Sequence, residues 1–139
     1  MVEVVDAGDV SVSDWRRYYD LRQPLIYIAG PYSAPIKKAV QKNIDHACTE
    51  RDKLVAAGWS VICPHANTAH MDNSNPGTFY KMDLTMLARC DAIYVLKGYA
   101  QSIGARMELE AALAWGLRIY FELEDGHVPN PAEPAEVLE

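Results

Sequence analysis

A doubly wound α/β fold, with four to five parallel strands between two layers of helices, is what this 139-residue sequence predicts. Three observations carry the prediction. The apolar runs at 25–29, 59–63, 91–96 and 117–121 have the length and unbroken character of strands buried on both faces. Longer segments with helical periodicity lie between them. Strand and helix alternate along the chain, as parallel strands joined by right-handed crossovers require.

Each element has its own signal. Residues 1–12 are polar and acidic without periodicity, and Trp15 to Asp20 can form one helical turn that packs its aromatics on the body. Leu25 to Ala29 is the first strand, closed by Gly30-Pro31. Pro35 can open a helix in which Val40, Ile44, Cys48, Leu54 and Val55 recur at helical spacing until Gly58 stops it. Trp59 to Cys63 is the second strand, and the stretch from Pro64 to Gly77, rich in Asn, Asp, His and Pro, is a loop. Thr78 can cap a helix carrying Phe79, Met82, Met86 and Leu87, which leads into a third strand at Asp91 to Leu96. A helix from Ile103 to Trp115, ended by Gly116, precedes the fourth strand at Leu117 to Phe121. Pro129, Pro131 and Pro134 among acidic residues mark a flexible tail. The chain thus divides into an N-terminal segment (1–24), one α/β domain (25–122) of the Rossmann or flavodoxin kind, a three-layer sandwich, and a tail (123–139).

Composition narrows the function. The net charge is −6 and the thirteen Lys and Arg residues are scattered, which argues against polymeric nucleic acid while leaving room for a small ligand held by a local nest of donors. No apolar run reaches the ~20 residues of a membrane span, and the acidic N-terminus lacks a signal-peptide pattern. Cys48, Cys63 and Cys90, odd in number and without metal-ligand spacing, read as buried thiols. A cytoplasmic protein is expected.

In a doubly wound sheet ligands bind outside the carboxyl ends of the strands, so the chemistry belongs to 30–35, 64–77 and 97–102 and the helices that follow them. Asp83 lies four residues from both Phe79 and Leu87, beside the apolar stripe. It is either a carboxylate favoured at a helix start or, with its pKa raised by partial burial, a general acid. Glu108 shares a face with Gly104, Ala112 and Trp115, early in a helix whose N-terminus points at the strand ends and favours its ionised form. It reads as a solvated glutamate or as a nucleophile, and two carboxylates with opposed pKa tendencies can cleave a glycosidic bond. Ser102 is an N-cap or a phosphate contact, and Ser33 in Gly30-Pro31-Tyr32-Ser33 admits the same pair of readings. His65 and His70 sit in a loop with Asn67, where substrate contact or loop ordering fits better than a metal site. Tyr27 is a core residue whose hydroxyl needs a partner.

Four segments in order, Tyr27 to Ser33, Tyr80 to Leu84, Cys90 to Tyr94 and Ser102 to Glu108, resemble the nucleoside 2-deoxyribosyltransferase superfamily, and in particular its small, often phage-borne branch and the 2'-deoxynucleoside 5'-monophosphate N-hydrolases. The resemblance implies that Glu108 is a nucleophile toward the anomeric carbon, that Asp83 protonates the leaving base, and that Tyr27 positions the glutamate. It further implies a substrate site at Gly30, Pro31, Ser33, His65, Asn67, Ser102 and Gly104. The serine at 102 points to a 5'-monophosphate and to water as acceptor; Pro31-Tyr32, where those hydrolases carry a Gly-Ser-x-Arg type of loop, removes part of a phosphate site. The expected protein is an N-glycosidase without metal or organic cofactor, acting on a nucleotide or nucleoside, with base exchange or nucleotide binding as alternatives. A homodimer or larger homo-oligomer, packed through the long helix or the Trp115 helix, is implied as well.

Overall fold

A computed structural model describes residues 21–67 and 76–136. The helical turn expected at Trp15 to Asp20, and His70 in the second loop, lie outside the described residues. Strands β1 (Leu25–Ala29), β2 (Ser60–Ile62), β3 (Ala92–Val95) and β4 (Arg118–Phe121) alternate with helices α1 (Lys37–Ala56), α2 (Pro64–Asn67), α3 (Pro76–Leu87) and α4 (Ile103–Ala114). All four strands are parallel, in the order β2-β1-β3-β4, with Tyr27 opposite both Ile62 and Ile93 and with Val95 opposite Phe121. The order reverses direction between β1 and β3, the crevice where such a sheet can take a ligand.

Strand alternation sorts the apolar residues into two cores. Ile26, Ile28, Ala92 and Tyr94 face α1 through Ala47 and Leu54, whereas Tyr27, Ala29, Ile93 and Val95 face α3 and α4 through Leu87, Cys90 and Ala112. Every residue of β3 is buried, which is why that run reads as continuously apolar. The glycines that were expected to end α1 and α4 do so: Gly58 and Gly116 both have positive φ, 112° and 73°, just past the last turn. Thr78 is no cap, because α3 begins at Pro76, whose missing N–H costs nothing at a first helical position. Cys63 and Cys90 are buried free thiols, but Cys48 is only partly covered.

The acidic, Pro-rich segment after β4 does not behave as the flexible tail its composition suggests. Its carbonyls accept hydrogen bonds from Trp59 Nε1 to Pro129 (2.8 Å), from Arg118 to Pro131 (2.7 Å) and from the Tyr120 hydroxyl to Glu133 (2.8 Å). A single antiparallel bridge, Ile119 with Glu136, covers the free edge of β4. The prolines cannot donate to a ladder, so no fifth strand forms there, yet they leave every carbonyl available to a buried donor. No helix among the described residues is long and apolar enough to cross a membrane.

Candidate active site

Where the strands end, the chain opens into a cavity of about 550 Å³, a size typical of small-molecule sites. Its floor and walls come from the loops after β1 and β3 and from helices α2, α3 and α4. The β1 loop supplies Gly30, Pro31, Tyr32 and Ser33, and the β2 end supplies Pro64 and His65. Helix α3 contributes Phe79, Tyr80 and Asp83; the β3 loop and α4 contribute Gly98, Gln101, Ser102, Gly104 and Glu108. Tyr27 lies fully buried beneath them. Of the residues singled out in the sequence, Asp83, Glu108, Gly30, Pro31, Ser33, His65, Ser102 and Gly104 therefore converge on one space. Asn67 closes α2, and its side chain is outside the described structure.

Close approach explains two of the glycines. A Cβ at Gly30 would come within 2.6 Å of the Leu96 side chain, so the ends of β1 and β3 could not pack as they do. At Gly104 it would stand 3.3 Å from the Tyr80 ring and 3.9 Å from Glu108 Oε1, inside the space a ligand would use. Ser102 is the N-cap of α4, its Oγ accepting from Ala105 N at 3.2 Å. The hydroxyl proton stays free to donate into the cavity, so capping and ligand contact are compatible.

Burial sets the electrostatics. The Asp83 carboxyl is pushed up to about 6 by burial, as its place beside the apolar stripe predicts, and its Oδ1 is buried without a hydrogen bond. Glu108 departs from expectation. The helix terminus was expected to hold it ionised, but burial, with the Asp83 charge adding to it, pushes it up to about 8 while the Tyr27 hydroxyl pulls the other way. Desolvation acts on the whole charge, and α4 offers only partial charges against it. The Tyr27 hydroxyl meets no acceptor at full hydrogen-bond geometry; burial, then the Glu108 and Asp83 charges, hold it far above the usual tyrosine range. His65 is almost fully buried and kept neutral by burial, its Nε2 donating to the Pro31 carbonyl at 2.9 Å. That tautomer leaves Nδ1 as a buried acceptor without a partner.

Several polar residues escaped sequence reasoning. On α1, Asn43 Nδ2 donates to the Tyr32 carbonyl (3.1 Å), and His46 Nε2 lies 2.9 Å from Glu122 Oε2. Glu50, with 1% exposure, accepts from the Tyr94 hydroxyl at 3.2 Å and pairs with Lys53 at 2.9 Å. Positions 43, 46, 50 and 53 recur at helical spacing, a signal that was present among residues read only for their apolar neighbours. Oxygen and nitrogen atoms of His46, Glu50 and Glu122 fall within 4.8 Å of one another, away from the cavity, with the Lys53 ammonium already serving Glu50 as its cation.

A 2-deoxyribosyltransferase from Bacillus psychrosaccharolyticus superposes with a TM-score of 0.57 at 20% identity, over 76% of this chain and 77% of that one. The CMP N-glycosidase BcmB of Clostridium botulinum gives 0.45 at 22% identity, over 74% of each chain. The fold is thus that of a 2-deoxyribosyltransferase, in line with the resemblance carried by the four segments. No curated protein matches. The model of a family described as a domain of unknown function, DUF4406, matches residues 24–121, a span that runs from the residue before β1 to the end of β4 and holds every cavity residue; the chain belongs to that family.

Proposed function

We propose that the protein is an enzyme that cleaves the N-glycosidic bond of a nucleoside or its 5'-monophosphate. One observation carries the reading: two carboxylates raised by burial, Asp83 and Glu108, face a single cavity above the buried Tyr27 at the switch point of the sheet. The ionised Glu108 carboxylate attacks the anomeric carbon as the carbon–nitrogen bond breaks. The bond's electron pair goes to the base nitrogen, which takes the proton held by Asp83. Water, deprotonated by the now ionised Asp83, then attacks the glycosyl ester and releases Glu108. The Tyr27 hydroxyl draws Glu108 down and so works toward the ionised nucleophile, against the burial that raises it.

The rim suits a flat base: Tyr80 and Ile103 expose 37% and 72% of their surface at the cavity mouth. A phosphate would rest on Ser33, Ser102 and the N–H groups of Ile103 and Gly104, the first amides of α4 once Ala105 N is capped by Ser102. A second reading, a free nucleoside that exchanges its base, is favoured by the charge of the lining, which holds two carboxylates and no lysine or arginine among the described residues.

Chromatography of free base released from a panel of nucleosides and 5'-monophosphates tests both. Release that Glu108→Ala and Asp83→Asn abolish is the expected result. Exchange only in the presence of a second base supports the transferase, and release unaffected by both substitutions overturns the assignment.

A further inference from the structure

Lys97 begins the loop that carries Gly98, Gln101 and Ser102 to the cavity, and its backbone N–H does not end on the sheet. It donates to Glu122 Oε1 at 2.9 Å. Glu122 follows β4 directly, its side chain only 7% exposed, and His46 Nε2 of α1 reaches both of its carboxylate oxygens, at 3.0 and 2.9 Å. One turn earlier on α1, Asn43 Nδ2 donates to the carbonyl of Tyr32 in the other ligand-facing loop. The two loops also touch each other, since a Cβ at Gly98 would sit 3.1 Å from Pro31 Cγ.

We infer that Asn43, His46 and Glu122 form a brace outside the cavity that fixes both strand-end loops, 30–35 and 97–102, with Glu122 as the positioning residue. Helix α1 is the common support. It is anchored to the sheet through Ala47 and Leu54 and through the buried Glu50 to Tyr94 bond, so polar groups on the same face are held at fixed height above the strand ends. A carboxylate suits position 122 because two donors reach it, one from the backbone of Lys97 and one from His46, and among the described residues no other acceptor meets that N–H. The placement of Ser102, and through it the first turn of α4, depends on where this loop begins. None of the three residues lines the cavity, so each acts through the loops it holds.

The kinetic arm of the test rests on the N-glycosidase reading; the exchange arm does not. Hydrogen–deuterium exchange of the intact protein should show the amides of 97–102 in Glu122→Ala exchanging at least about tenfold faster than in wild type, with those of β1 and β3 unchanged. In Glu122→Gln, whose amide oxygen still accepts from Lys97, protection should return to near the wild-type level. With a substrate that wild type turns over, Glu122→Ala should raise KM by about tenfold while kcat falls less than about threefold, and Glu122→Gln should restore most of the affinity. If no substrate is turned over by wild type, the reaction assignment fails and the exchange result alone decides the brace. Unchanged exchange at 97–102 in Glu122→Ala overturns it, and so does faster exchange spread evenly over the whole sheet, which marks a merely structural residue.

Discussion

Asp83 and Glu108 share their protons as a pair, because each is desolvated and the charge of Asp83 raises Glu108. Asp83 is raised to about 6 and Glu108 to about 8, so between those values the pair holds a single proton, more often on Glu108, and the reactive form with the proton on Asp83 is its minor tautomer. The rate, kcat/KM against pH, should therefore be bell-shaped with its maximum near pH 7, measured on any substrate that releases base. Stability follows from the same shifts. Both folded values lie above the ordinary carboxylate values of 3.8 and 4.5, so the native state binds more protons than the unfolded chain and stability falls as pH rises from about 4 to about 8. Glu108→Gln should raise the unfolding temperature at pH 8, by roughly 3 °C per ~1 kcal/mol gained, and the gain should shrink toward pH 4; calorimetry across that range checks it. Gly104→Ala tests the cavity itself. Its methyl favours the helix by up to ~1 kcal/mol but stands against Tyr80 and near Glu108, so ligand affinity should fall with no loss of thermal stability.

Among the elements, α1 combines apolar and polar anchoring on one face. Its buried Glu50 satisfies the Tyr94 hydroxyl from β3 and is neutralised by Lys53 three residues on. Replacing Glu50 by alanine removes an ion pair and strands a buried hydroxyl, with an expected cost of about 2–3 kcal/mol in denaturant unfolding. The β3 loop is bound by backbone geometry. Gly98 holds φ 86° against Pro31, so Gly98→Ala should cost about 1–2 kcal/mol from the left-handed backbone alone and loosen the cavity as well.

For the molecule as a whole, the segment after β4 acts as part of the body. Truncation after Glu124 takes away the acceptors of Trp59, Arg118 and Tyr120 and uncovers the edge of β4. Two of those donors belong to residues in the buried core. The expected loss is about 3–5 kcal/mol, read as a lowered midpoint in denaturant titration, together with a greater tendency to associate through the uncovered strand edge.

Fold class, the four strands and helices α1, α3 and α4 were legible in the sequence, because apolar period and glycine punctuation are local properties of the chain, whereas the short α2 fell in a stretch read as loop. The sequence also placed Asp83 beside an apolar stripe and Ser102 at a helix cap, since helical spacing is equally local. What it could not determine was any quantity that depends on the environment summed over distant segments. Glu108 was read as ionised from its place in a helix, yet its burial, with the Asp83 charge added, outweighs the helix terminus. The tail was read as flexible from its prolines and charges, yet its carbonyls meet donors as far away as Trp59. Helical spacing sets Asn43, His46, Glu50 and Lys53 along one face of α1, but the burial of Glu50 and the pairing of His46 with Glu122 depend on Tyr94 and on the end of β4, far away in sequence. Tertiary structure decided these points for one physical reason: desolvation and hydrogen-bond satisfaction are set by what packs around a group, and its neighbours in sequence are only a small part of that.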